Sequence, residues 1–109
     1  MSYTFVLLSG GTGSRMQQSI PKQYMLLGGK PMIMHVLDKV DTISRIKKIV
    51  IVCADEYRQS LDLMLEQYGI RKPVIYAKAG ESRQASVLSG LRLVETENVI
   101  IHEASYNDN

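Results

Sequence analysis

A chain of 109 residues suits one small domain with a single core, and 45% hydrophobic with 22% charged residues is the balance of a globular protein rather than a disordered one. A net charge of +2 is too slight to argue for nucleic acid as a partner, and no apolar run reaches the about eighteen residues that span a bilayer. Cys53 is the only cysteine, which excludes a disulfide framework or a cysteine metal cluster.

The start Met1-Ser2-Tyr3-Thr4-Phe5 has neither the basic region nor the cleavage site of a signal peptide, so a cytoplasmic location is the expectation. Thr4 to Leu8 reads as a buried strand. It runs into the glycine loop Ser9-Gly10-Gly11-Thr12-Gly13-Ser14-Arg15-Met16. Glycine has no Cβ, so the backbone N–H groups of such a loop approach an anion closely. Arg15 and Lys22, the second in Pro21-Lys22-Gln23-Tyr24, add full positive charges where phosphate oxygens would lie, and no carboxylate precedes Asp38. The reading is a nucleoside triphosphate site.

Pro31 to Lys39 reads as a helix, with Pro31 in its first turn and Ile33, Val36, Leu37 and Val40 at helical spacing. Lys48 to Cys53 is a continuous apolar, β-branched run, as expected of a parallel strand covered on both faces. Asp55 is placed to cap a helix over Tyr57 to Tyr68, which Gly69 ends. Val74 to Ala77 makes a third strand, Gly80 to Ser82 a loop, Arg83 to Val94 a helix, and Asn98 to His102 a fourth strand. The charges are unevenly spread. Residues 1 to 37 carry Arg15, Lys22 and Lys30 but no acid, whereas residues 93 to 109 carry Glu95, Glu97, Glu103 and Asp108 but no Lys or Arg.

Four β-like runs alternating with helices predict an α/β, doubly wound parallel sheet. Right-handed crossovers give a strand order of 3-2-1-4, which reverses direction between the first and fourth strands. The crevice then lies beyond their carboxyl ends. The glycine loop, Gly80-Glu81-Ser82-Arg83 and His102-Glu103-Ala104 all leave the sheet on that edge. A dinucleotide site is disfavoured, because Met16 stands where a third small residue is wanted and Asp55 lies much further on than the about twenty residues usual for a ribose-binding acid. A Walker loop is excluded, since no Gly-Lys-Ser/Thr follows the glycines.

The joint pattern GGTGSRM, PKQY, GESRQASVLSGL and IHEA, in that order and across nearly the whole chain, resembles the cytidylyltransferases that activate polyol phosphates. That family includes the 2-C-methyl-D-erythritol 4-phosphate enzyme of isoprenoid synthesis and the ribitol 5-phosphate enzyme of wall polymers. The Gly10-Gly11 pair is more like the ribitol branch. Tyr24 and Arg83-Gln84-Ala85-Ser86-Val87 are more like the methylerythritol branch. The resemblance implies a Rossmann-like sheet of the nucleotidyltransferase type, here truncated after about four strands, with residues 1–109 forming the CTP-binding half and the acceptor half absent.

On matching positions, the resemblance implies that Leu8, Ser9, Gly10, Gly11 and Gly13 hold CTP and that Arg15 and Lys22 stabilise the transition state. Gly80, Glu81, Ser82, Arg83 and Ser86 complete the cytidine pocket, although Arg83 and Ser86 read equally as the solvated first turn of a helix. Glu103 stands where the family has an aspartate that helps hold Mg2+, and reads equally as a plain strand end. The implied reaction is in-line attack of a sugar phosphate oxygen on the α-phosphorus of CTP, with pyrophosphate leaving and fixed cations meeting the charge. The implied partners are CTP and a small polyol phosphate, with no nucleic acid or membrane, in a protein that is dimeric at full length.

Two departures stand out. Ser105-Tyr106-Asn107 replaces the family's arginine and proline, and tyrosine supplies neither the charge nor the donor fork of a guanidinium. The apolar Val99, Ile100 and Ile101 have no later strand to pair with, so either a longer protein or an oligomer is expected to cover that edge. A noncatalytic nucleotide-binding module and a nucleotidyltransferase for another sugar phosphate are the alternative functions.

Overall fold

A computed structural model of the protein describes residues 1–9, 26–27 and 29–103. In chain order its elements are β1 (Tyr3–Leu8), β2 (Leu26–Leu27), β3 (Lys30–Pro31), α1 (Met32–Asp41), β4 (Ile46–Cys53), a 3₁₀ turn at Asp55–Tyr57, α2 (Arg58–Gln67), β5 (Val74–Lys78), α3 (Arg83–Leu91) and β6 (Asn98–Glu103). Four strands form one parallel sheet in the order β5-β4-β1-β6. This is the third-second-first-fourth arrangement expected from the sequence, with β1 between β4 and β6.

The aliphatic run of β1 makes sense of that central place. Phe5, Val6, Leu7 and Leu8 are all buried, which a strand achieves only when both its edges are paired and both its faces are covered. Side chains alternate across the pleat. Phe5 and Leu7, with Ile49, Ile51 and Cys53, form one face, packed against Ile33, Met34, Leu37 and Val40 of α1 and Leu61 and Leu65 of α2. Val6 and Leu8, with Val50, Val52 and Ala77, form the other, packed against Val87 of α3. Gly90 allows α3 to lie close there, since a Cβ on it would come within 2.7 Å of Val6 Cγ1 and 2.9 Å of Val52 Cγ2.

Polar side chains fasten the connections. Thr4 is fully buried, and its hydroxyl lies 2.8 Å from that of Thr96, which itself donates to the Asn98 carbonyl at 2.7 Å. The chain is thereby tied to β1 just before β6 begins. The Asp41 carboxylate accepts from the backbone N–H groups of Arg71 and Lys72 at 3.0–3.2 Å, which joins the end of α1 to the loop before β5. Lys30 pairs with Asp38 and lies 5.7 Å from the centre of the Tyr68 ring.

Several boundaries differ from expectation, each for a local reason. Pro31 does not begin α1. It closes a small antiparallel hairpin, Leu26 opposite Pro31 and Leu27 opposite Lys30, whose turn has Gly29 at φ +82°. Asp55 does not cap α2, because a 3₁₀ turn intervenes and its carboxylate instead lies 3.3 Å from the Arg58 guanidinium. Gly69 ends α2 as expected. At φ +72° it gives a Schellman motif, its N–H bonding to the Glu66 carbonyl and that of Ile70 to the Leu65 carbonyl. The third helix stops at Leu91 rather than Val94, since Leu93 and Val94 bond three residues back and tighten the last turn. The first three sheet strands extend one or two residues beyond their expected limits, and the fourth reaches Glu103.

On the edge strand β6, Val99, Ile100 and Ile101 are 38%, 37% and 39% exposed, so the apolar edge anticipated from the sequence is open in the single chain. No helix among the described residues is long and apolar enough to cross a membrane.

Two measurements test this packing. Gly90→Ala gains helix propensity but forces a methyl against two stiff valines of the central strands, and a net loss of about 1–2 kcal/mol in denaturant unfolding is expected. Burial pushes the Cys53 thiol up from 9.0 to about 11, with the nearby Arg58 guanidinium opposing the rise. Ellman's reagent at pH 8 should leave Cys53 untouched in the folded chain and modify it after unfolding. Because the folded pKa lies above the unfolded one, this group's contribution is intact below pH 9 and is lost as pH rises towards about 11.

Candidate functional site

The carboxyl ends of the four strands share one edge of the sheet because all the strands are parallel. Register brings the last residues of the central and outer strands side by side, Leu8 of β1 opposite Glu103 of β6. Leu8 and Ser9 are both buried, and the Ser9 N–H donates to the Val52 carbonyl at 2.9 Å. That bond continues the β1–β4 ladder one residue past the strand. It fixes the direction of the chain at the last described residue before the glycine loop.

A second segment reaches the same edge from β5. The Ala79 N–H donates to the Cys53 carbonyl at 3.1 Å and carries the pairing of β5 with β4 into the loop. Gly80 then passes so close to α3 that a Cβ on it would lie 2.4 Å from Ala85 Cβ and 2.9 Å from the Ala85 carbonyl carbon. Its N–H donates to Ser86 Oγ at 2.9 Å, while Ser82 Oγ accepts the Ala85 N–H at 3.0 Å as the N-cap of α3. Loop and helix start therefore form one hydrogen-bonded unit. Arg83 opens the helix, and its Nε donates to Glu103 Oε2 at 3.2 Å.

Of the residues expected at a nucleotide site, the structure brings together Leu8, Ser9, Gly80, Glu81, Ser82, Arg83, Ser86 and Glu103 along this edge. Gly10, Gly11, Gly13, Arg15 and Lys22 lie outside the described residues, as do Tyr24, Ala104 and Tyr106. Ser86 is buried and its hydroxyl holds the Gly80 N–H, so its observed work is to set the loop. His102 alternates to the opposite face from Glu103 and stacks on Phe5, centroids 5.8 Å apart, which is a packing role.

Among the described residues no group of three or more His, Cys, Asp or Glu side chains is placed to hold a metal ion. Glu103 offers a hard oxygen donor beside Arg83. A single carboxylate suits Mg2+, which keeps several waters and takes its other ligands from substrate phosphates. It does not suit an all-protein cage for zinc or calcium.

Sequence reasoning missed the contact of Gly80 with Ala85 and the pairing of Arg83 with Glu103. The signal for the first was the small-residue pair five positions apart. The second shows only once the fourth strand is laid beside the first.

The Ser86–Gly80 bond has a direct test. Ser86→Ala leaves a part-buried N–H without its acceptor, at a cost of about 1 kcal/mol, and amide hydrogen exchange at Gly80 should accelerate by more than exchange in β1 and β4, which accelerates only as far as the loss of global stability requires.

The family model for 2-C-methyl-D-erythritol 4-phosphate cytidylyltransferase (IspD) matches residues 3–107. A relative of that description from Chlamydia pneumoniae is 38% identical over 102 residues, covering 94% of this chain and 44% of its own length. Another from Geobacillus thermodenitrificans is 37% identical over 106 residues, covering 96% of this chain and 46% of its own length. The chain thus spans about half the length of the curated relatives it matches. Among solved structures, 4-diphosphocytidyl-2C-methyl-D-erythritol synthase from Anaerococcus prevotii superposes with a TM-score of 0.75 at 19% identity, over 94% of this chain and 43% of that one. At that identity the likeness concerns the fold.

Proposed function

We propose a function from one premise: this chain belongs to the 2-C-methyl-D-erythritol 4-phosphate cytidylyltransferase family. The reading is that it forms the CTP-binding half of an enzyme that transfers CMP to a polyol phosphate and releases pyrophosphate. The relatives' names favour 2-C-methyl-D-erythritol 4-phosphate as acceptor over ribitol 5-phosphate. What supports the reading most is that Leu8-Ser9, the Gly80–Ser86 segment and Glu103, distant in sequence, meet at the switch point of a parallel sheet.

In this reading the backbone of Leu8 to Gly13 cradles the triphosphate, and the Gly80–Ser86 loop takes the cytidine. Gly80 and Ser86 keep that loop against α3, and Arg83 supplies the side-chain donors. Arg15 and Lys22 neutralise charge on the nonbridging oxygens as the α-phosphorus is attacked. Fixed cations of this kind stabilise the transition state without reorganising. Glu103 would hold Mg2+ through an oxygen, and the ion would add Lewis-acid stabilisation of phosphate charge. The acceptor-phosphate residues belong to the part of the relatives that this chain does not span. The same part would cover the exposed Val99–Ile101 edge and carry the contacts of a homodimer.

The test starts with ligand-induced stabilisation. CTP with Mg2+ at a hundred times its Kd should add about 2.7 kcal/mol, seen as a rise in Tm, whereas GTP and NAD should add little. Pyrophosphate release is then followed with methylerythritol and ribitol phosphates on a full-length form. In that form Lys22→Ala should lower turnover by about a hundredfold or more with the fold intact. Stabilisation by NAD but none by CTP sinks the proposal. CTP binding in a full-length form that releases no pyrophosphate with either acceptor favours the noncatalytic module, in line with Tyr106 replacing arginine.

A further inference from the structure

Arg83 is held by one contact. Its Nε donates to Glu103 Oε2 at 3.2 Å, and its side chain makes no other hydrogen bond or ion pair among the described residues. A guanidinium carries five N–H donors in a rigid planar fork. A bidentate carboxylate would occupy two of them, whereas this contact occupies one. It restrains the direction of the Nε–H bond and leaves the four donors of the terminal nitrogens without a partner among the described residues. Both ends of the contact are anchored. Arg83 opens a helix whose start is set by the Ser82 cap, and Glu103 ends a strand in register with Leu8. Glutamate is also one methylene longer than the aspartate the family resemblance puts at this position, which extends its reach towards α3.

We propose that Glu103 is a positioning residue for Arg83, its carboxylate holding Nε so that the terminal N–H groups present to the bound nucleotide. The inference rests on the nucleotide reading given above. It makes Glu103 serve nucleotide binding through Arg83 whether or not a metal is present.

Charge and positioning predict opposite signs when no metal is present. Glu103 is an anion beside a polyanionic ligand, so by Coulomb repulsion alone its removal tightens metal-free binding. If it positions Arg83, its removal weakens that binding. The pair is 61% and 51% exposed, so the effect is modest, about two- to fivefold in Kd.

The experiment is calorimetric titration of CTP into the chain in EDTA, with melts of each variant in buffer to verify folding. Glu103→Ala should weaken binding by about two- to fivefold. Glu103→Gln, which keeps an oxygen able to accept from Nε, should retain most of the affinity. In an Arg83→Gln background, Glu103→Ala should cause no further weakening. Equal or tighter binding by Glu103→Ala with Arg83 present overturns the inference, as does a weakening that persists without Arg83. If the unaltered chain binds no CTP with or without Mg2+, the nucleotide reading fails and the inference with it, an outcome set apart by needing no variant.

Discussion

Everything in this molecule depends on β1 being paired in parallel on both edges. A strand so placed must bury both faces, and Phe5 to Leu8 supply an unbroken apolar run for that purpose. Parallel neighbours cannot be joined by tight turns, so the chain must cross over a face of the sheet each time. Those crossings put α1 and α2 on one face and α3 on the other. They also force every strand to end at the same edge. The site is thus a consequence of how the core is built.

Within that frame, short-range bonds convert a sheet edge into a shaped surface. The Ser9 and Ala79 amides extend the ladders on either side of β4 past the ends of the strands. Gly80 and Ser86 then lock a loop to the first turn of α3, and Ser82 caps that turn. Each bond is worth only about 1 kcal/mol. Their combined effect is to remove conformational freedom from a loop before any ligand arrives, which is where binding otherwise loses free energy. Arg83 and Glu103 extend the same order to charged side chains.

Much of this was legible in the residues. The β-branched run at Ile49–Cys53, the apolar spacing of Ile33, Leu37 and Val40, and the glycine after α2 carried local signals strong enough to place elements and to order the strands. The Leu26–Pro31 hairpin was missed despite the consecutive glycines between its strands in the sequence, because two-residue strands leave no periodicity to detect. Asp55 misled because a capping residue type says nothing about an intervening 3₁₀ turn. The exposed apolar character of the fourth strand was readable, since Val99 to Ile101 are a continuous β-branched run and the expected strand order puts this strand at an edge, where it stands among the described residues. Ser86 shows the limit at the site. A serine in a first helical turn reads the same whether it faces a ligand or its own loop, and only the 2.9 Å bond from Gly80 decides what it holds.

The central claim is that the sheet's switch point gathers a nucleotide between Leu8-Ser9, the Gly80–Ser86 loop and Glu103. Backbone amide chemical shifts followed during a CTP titration test it most directly. The largest changes should fall on Ser9, Gly80 to Ser86 and Glu103, with Asp41, Arg71 and Lys72 at the far edge of the sheet unmoved. Shifts concentrated at the far edge, or spread along α2 with the Gly80–Ser86 loop unchanged, would contradict it.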